Sequence, residues 1–181
     1  MTSTATAITT GTWLLDPTHT EIGFTVRHLM SKGRGKFEAF EGSIVTAENL
    51  ADSKATATIK LDSINTGTPD RDAHLRSTDF FGVDDNPEMS FESTGVSLDG
   101  DDYKVLGNLT IKGVTKSIEL AVDFLGEGGD PWGGTRVGVE ATTQISRKEF
   151  GIDFNIPLEG DKLMIGDKIS IHITAEAVLQ A

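Results

Sequence analysis

A chain of 181 residues, 37% of them hydrophobic, is long enough to bury one proper core and too short to promise two. Its 28 acidic residues outnumber 16 basic ones, and the formal net charge of -12 opposes nucleic acid and anionic membrane surfaces at long range. The chain has no cysteine, which excludes disulfides, thiolate metal sites and cysteine nucleophiles.

Residues 1–12 are rich in Thr, Ser and Ala, lack the basic start and apolar run of a secretory signal, and read as a flexible tail ahead of a domain over 13–181. No apolar run approaches the roughly 20 residues of a membrane-spanning helix. The expectation is a cytoplasmic protein that is not integral to a membrane, compatible with export of a longer precursor. From there on, segments of period-two alternation recur, each bounded by Gly, Asp, Asn or Pro, the pattern of an antiparallel all-β protein. In the first, Ile22, Phe24, Val26 and His28 share one face while Glu21, Thr25 and Arg27 share the other. A second strand is predicted over 35–47, and a third sets Ala55, Ala57, Ile59 and Leu61 against Thr56, Thr58, Lys60 and Asp62.

Residues 68–81 break this pattern. Thr68 as N-cap, Pro69 in the first helical position and Asp70 and Asp72 in the first turn predict a short helix, stopped by Gly82. Leu75, Phe80 and Phe81 give it apolar material to set against a barrel. Five further strands are predicted at about 88–98, 102–112, 115–125, 134–147 and 167–179, with Asp99-Gly100 and Lys112-Gly113 as turns. Eight antiparallel strands and one short helix between the third and fourth suit a closed barrel, whose interior fills with its own side chains or holds one small ligand.

Catalytic signatures are missing. His19, His28, His74 and His172 are scattered without metal-ligand spacing, and there is no nucleophile elbow, phosphate loop or dinucleotide fingerprint. The carboxylate pairs, such as Asp84-Asp85 and Asp101-Asp102, fall in turns, where solvation is their ordinary role. Arg71, His74 and Arg76 form a positive cluster on the predicted helix and suit an anionic head group, although Arg76 points away from the face of Arg71 and Leu75.

The run Trp13-Leu14-Leu15-Asp16-Pro17-Thr18-His19-Thr20-Glu21-Ile22-Gly23-Phe24, with Val26-Arg27-His28, Gly35-Lys36-Phe37 and Phe40-Glu41-Gly42, resembles the opening of the YceI-like polyisoprenoid-binding proteins. The order continues through Ile64-Asn65-Thr66-Gly67, Arg71-Asp72-Ala73-His74-Leu75, Asp79-Phe80-Phe81 and Pro87-Glu88-Met89-Ser90-Phe91. It ends with Gly107-Asn108-Leu109-Thr110-Ile111-Lys112-Gly113, Ser146-Arg147-Lys148-Glu149-Phe150-Gly151 and Ile165-Gly166-Asp167. The resemblance implies a lipocalin-like barrel carrying a long isoprenoid lipid in an apolar tunnel, often as a dimer. It places this chain as a non-enzymatic binder of an isoprenoid quinone or polyprenyl phosphate, with no cofactor beyond the lipid itself. The tunnel candidates are Phe24, Val26, Phe37, Phe40, Phe80, Phe91, Leu109, Ile111 and Phe124, and the head-group candidates His28, Arg71, His74 and Arg147. The competing expectation is an enzyme acting on such a lipid, with His28 or His74 as general base. An interaction protein that dimerises through exposed sheet edges is compatible with the first.

Overall fold

The computed structural model describes residues 8–158 and 164–181. In chain order they form β1 (Gly11–Leu15), β2 (Glu21–His28), β3 (Ser31–Phe37), β4 (Phe40–Thr46), β5 (Lys54–Lys60), β6 (Ile64–Asn65), α1 (Pro69–Arg76), β7 (Glu88–Asp99), β8 (Asp102–Ile111), β9 (Val114–Gly129), β10 (Thr135–Ser146) and β11 (Ile165–Leu179). Hydrogen bonding runs β1-β4-β5-β7-β8-β9-β10-β11 and returns to β1, so eight strands close an antiparallel barrel carrying one α-helix, the architecture expected from the alternation. β2, β3 and β6 extend the wall beyond this ring: β11 pairs β1 near its end and β2 along its first two thirds.

Two breaks organise the barrel. Pro17 lacks an N–H and cannot continue a ladder, so a single 3-10 turn separates β1 from β2, with Asp16 accepting from Thr18 N at 3.0 Å. The strand predicted over 35–47 is likewise two strands. Phe37 and Phe40 both face inward, because Phe37 pairs with Ile22 and Phe40 with Ile59; the intervening Glu38-Ala39 step shifts the phase, and Ser63 takes up the Glu38 N–H. β1 also begins inside the segment read as a tail. Trp13 explains why: it is fully buried, and its indole N–H donates to Thr46 Oγ1 at 3.1 Å, which fixes β1 between β4 and β11. Residues 1–7 of that tail lie outside the described residues.

The helix is shorter than predicted. It ends at Arg76, where the Ser77 hydroxyl donates to His74 O, and Phe80 and Phe81 follow in turns. Thr68 has the extended backbone of an N-cap, yet its side chain makes no capping bond. Asp72, buried in the first turn, instead accepts from the Thr66 backbone N–H and hydroxyl and ties the helix to the strand before it.

The 29–30 and 112–113 turns and the 147–164 connection share one end of the barrel, while the 47–53, 100–101 and 130–134 turns share the other. At the second end Trp13, Val137 and Ala177 pack with Leu15, Ile44 and Phe124 into a plug. At the first end two clusters, one around Leu61 and Phe37, the other around Phe150 and Ile152, line opposite walls, with Leu75 and Phe81 touching both.

Candidate functional site

Between those two clusters lies a cavity of about 200 Å³. Ile22, Phe24, Val26 and His28 of β2 all border it, so the inward face of that strand is the one the alternation marks. On the neighbouring strand β3, Gly33 borders the cavity beside its partner Val26, and Gly35 pairs with Phe24. A Cβ at Gly35 would collide with the Phe24 ring and the Thr66 methyl, whereas one at Gly33 would meet Val26 and His28 only at ordinary contact distances of 3.6 Å and beyond. The two glycines thus differ: Gly35 lets the Phe24 ring lie flat against the strand, and Gly33 leaves open space. β11 contributes Ile165, Ile169 and Ile171, β10 Ile145, β8 Ile111, and the helix region Leu75, Phe80 and Phe81.

Every polar side chain bordering the cavity, among the described residues, is Thr66 or a cationic or titratable base: His28, Arg34, Arg71, His74 and Arg147. Among the described residues no carboxylate borders it, in a chain of net charge -12. Arg71 is held by Thr66, donating from Nε to the hydroxyl and from Nη2 to the carbonyl, both at 2.8 Å. Because the same hydroxyl donates to Asp72, one threonine orients an arginine and a carboxylate together. His74 Nε2 bonds Asp79 Oδ2 at 2.9 Å, and its ring stands edge-on to Phe80 and Phe154 at 5.0 Å. Arg34, exposed on β3, has no hydrogen-bond or ion-pair partner among the described residues and retains its full set of donors.

Arg147, a head-group candidate, borders the cavity but has its guanidinium committed to backbone carbonyls. It is buried at 4% exposure, and its guanidinium donates to the carbonyls of Gly166, Ile152, Phe154 and Ile165. Burial pushes its pKa below the usual arginine value, opposed by the charges of Asp167 and Asp153. The residue therefore staples Ile152 and Phe154 to the start of β11 while placing positive potential on the cavity wall. The other sequence-derived positions divide. Phe24, Val26, Phe37, Phe80 and Ile111 border the cavity. Leu109 and Phe91 sit in the wall behind it, Phe91 filling the space over Gly107; Phe40 packs on the Ile59 and Leu61 cluster; Phe124 belongs to the plug around Trp13 at the other end. Residues that the alternation did not single out are Arg34, Phe154, Met164 and the β11 isoleucines.

A second charged centre lies away from the cavity. Arg136 donates to Asp16 (2.6 Å), Asp130 (2.7 Å) and Glu176 (3.0 Å), tying the Pro17 turn, the β9–β10 turn and β11 together. The Arg136 hydrogen bond, followed by that of His19, holds Asp16 well below the usual carboxylate range. Asp16, His19 and Glu176 bring possible ligand atoms within 4.8 Å of one another, but Arg136 already supplies the positive charge there. The cluster reads as a structural staple.

Known proteins share this plan. A UPF0312 protein of Photorhabdus laumondii is 46% identical over 134 residues, which cover 73% of this chain and 70% of its own. BcnA of Burkholderia cenocepacia has the same fold, with a TM-score of 0.78 at 20% identity over 90% of this chain and 98% of its own. A polyisoprenoid binding domain from Saccharophagus degradans also shares the fold, with a TM-score of 0.68 at 17% identity over 93% and 98% of the two chains. The YceI-like domain model matches residues 13–177, nearly the whole described barrel, and the chain belongs to that family.

Proposed function

We propose that this chain binds a long-chain isoprenoid lipid without transforming it, its tail in the apolar cavity and its head at the cationic rim. The observation that carries the reading is the composition of the wall among the described residues: apolar side chains and glycine, interrupted only by Thr66 and five basic or titratable groups. Each methylene of a tail gains about 0.8 kcal/mol on leaving water, so such a wall needs no polar recognition to hold a polyprenyl chain. Arg34 and Arg71 offer forked donors suited to phosphate oxygens, which an anionic head would meet at this rim. A polyprenyl phosphate fits this rim better than a neutral quinone. The name of the Saccharophagus degradans domain, a polyisoprenoid binding domain, supports the tail class.

The cavity is smaller than the roughly 300–1,000 Å³ of ordinary small-molecule sites. Loading a long tail therefore displaces flexible wall side chains, with Met89 and Met164 the softest of them. Native mass spectrometry followed by organic extraction tests the reading, together with titration of the stripped protein against a polyprenyl phosphate and an isoprenoid quinone of matched length. Stoichiometric prenyl lipid, or saturable binding of the phosphate, supports it; a protein that takes up neither overturns it. The His74–Asp79 pair favours one other reading, a general base at the cavity rim. That reading requires turnover of the supplied lipid that His74→Ala abolishes, and unchanged lipid after long incubation refutes it.

A further inference from the structure

The β2–β3 hairpin turns through two residues, Leu29 and Met30, because His28 pairs directly with Ser31. Such turns favour Gly, Asn or Asp, which tolerate positive φ and water. Here Leu29 holds φ at 56°, a left-handed conformation disfavoured for a branched side chain, and Met30 is fully exposed. The sequence thus keeps two large apolar side chains at a tip where both backbone and solvent argue against them. Leu29 N donates to Met164 O, and Met164 N to Ile156 O, so the tip is tied to the connection carrying the exposed Ile156 and Leu158. These four side chains form an apolar rim at the end of the barrel where the cavity lies.

Charge is segregated in the same direction. Between Ile22 and Phe37 the chain carries Arg27, Lys32, Arg34 and Lys36 and no Asp or Glu. The turns at the opposite end, 47–53, 99–102 and 127–134, carry acids and no Lys or Arg. β11 alone, 15 residues long, spans about 50 Å at the usual strand rise, several times the Debye length of roughly 8 Å at physiological ionic strength. A surface touching the hairpin meets these basic side chains first, and the acids of the far turns are screened from it.

We propose that the Leu29–Met30 hairpin is a membrane-docking tip that seats the barrel, cavity end down, on an anionic lipid bilayer. Leu29 and Met30 enter the headgroup boundary, Lys32 pairs with anionic headgroups, and the turns of the far end are held away from the surface. The purpose of this contact, passage of a lipid between bilayer and cavity, rests on the lipid-binding reading above; its occurrence does not.

Flotation of the full chain with phosphatidylglycerol–phosphatidylcholine vesicles, and with pure phosphatidylcholine vesicles, tests it. Binding is expected on the anionic vesicles, weaker on the zwitterionic ones, and lost as salt rises toward 1 M. The double variant Leu29→Gly, Met30→Ser lowers partitioning at least about tenfold. It folds without difficulty, since glycine relieves the positive φ. Lys32→Glu lowers partitioning at least about fivefold. Trp132→Ala, at the acidic end, leaves it unchanged. Gly33→Leu, which takes up part of the cavity, weakens lipid uptake roughly 200-fold but not flotation, so a failure of docking and a failure of the cargo reading give different results. Wild-type protein that ignores anionic vesicles, or a hairpin variant that floats as wild type does, overturns the proposal. So does loss of self-association in the hairpin variant together with vesicle-independent dimers of the wild type.

Discussion

Gly33→Leu separates a cavity that binds from a cavity that merely exists. The backbone at Gly33 has no positive φ, and a Cβ there meets its nearest neighbours, Val26 O and Val26 Cγ1, at ordinary contact distances of 3.6 and 3.7 Å, so a side chain starts beside the cavity without a clash at its Cβ. A leucine brings four side-chain carbons into a volume of about 200 Å³. If each displaces about one ligand methylene at ~0.8 kcal/mol, affinity falls by about 3 kcal/mol, roughly 200-fold in Kd. Stability moves the other way: replacing a strand glycine and filling apolar space leaves Tm equal to wild type or higher. Gly35→Leu is the internal control, because there the new Cβ meets the Phe24 ring and the Thr66 methyl. That variant overpacks and loses about 1–3 kcal/mol of stability. The assay is titration of stripped protein with a fluorescent polyprenyl phosphate, paired with a thermal melt of each variant. Undiminished binding by a folded Gly33→Leu protein refutes the assignment of the cavity as the lipid site. A Gly33→Leu protein that melts far below wild type refutes the geometry from which the prediction is drawn.

Three other perturbations test the frame around the site. Trp13→Ala, emptying the plug, costs about 3–5 kcal/mol, read as a lower urea midpoint. Arg147→Met removes the side-chain donor from the carbonyls of Gly166, Ile152 and Phe154, at about 1 kcal/mol or more each, while Ile165 O keeps Asn155 Nδ2; Arg147→Lys does not rescue it because an ammonium cannot span the fork. Hydrogen exchange should rise selectively over residues 150–158, and unchanged protection there would refute the staple. Asp16 has its pKa depressed in the fold, so its contribution is complete above the ordinary Asp value of about 3.9 and is lost as pH falls through the folded value. Asp16→Asn is therefore less stable than wild type at pH 6, with a gap that closes progressively below about pH 4; a gap constant down to pH 2 would show that the carboxylate charge contributes nothing.

The strands were legible because a barrel wall with water on one side imposes a period of two, and β8 shows it without interruption: Tyr103, Val105, Gly107, Leu109 and Ile111 all turn inward. Height along the barrel axis was not legible, because it is a property of register rather than of any segment. Phe24 and Phe124 sit in equally alternating runs, yet pairing sets Phe24 opposite Ile171 at the cavity and Phe124 opposite Val139 beside the plug. The break at Glu38-Ala39 had no glycine or proline to announce it, since the compensating acceptor, Ser63, arrives from 25 residues downstream. Arg34 was hidden for a related reason: it shares the parity of the outward Thr25, and only its length brings it to the cavity border. Arg147 looked like a surface cation because its partners are carbonyls, which every sequence contains and none marks. The residues that make the interior roomy are the hardest to read of all, because Gly33 contributes by lacking atoms. A glycine that relieves a clash and a glycine that leaves a void are written with the same letter; Gly35 and Gly33, two positions apart on one strand face, are told apart only by what would stand beside the missing Cβ.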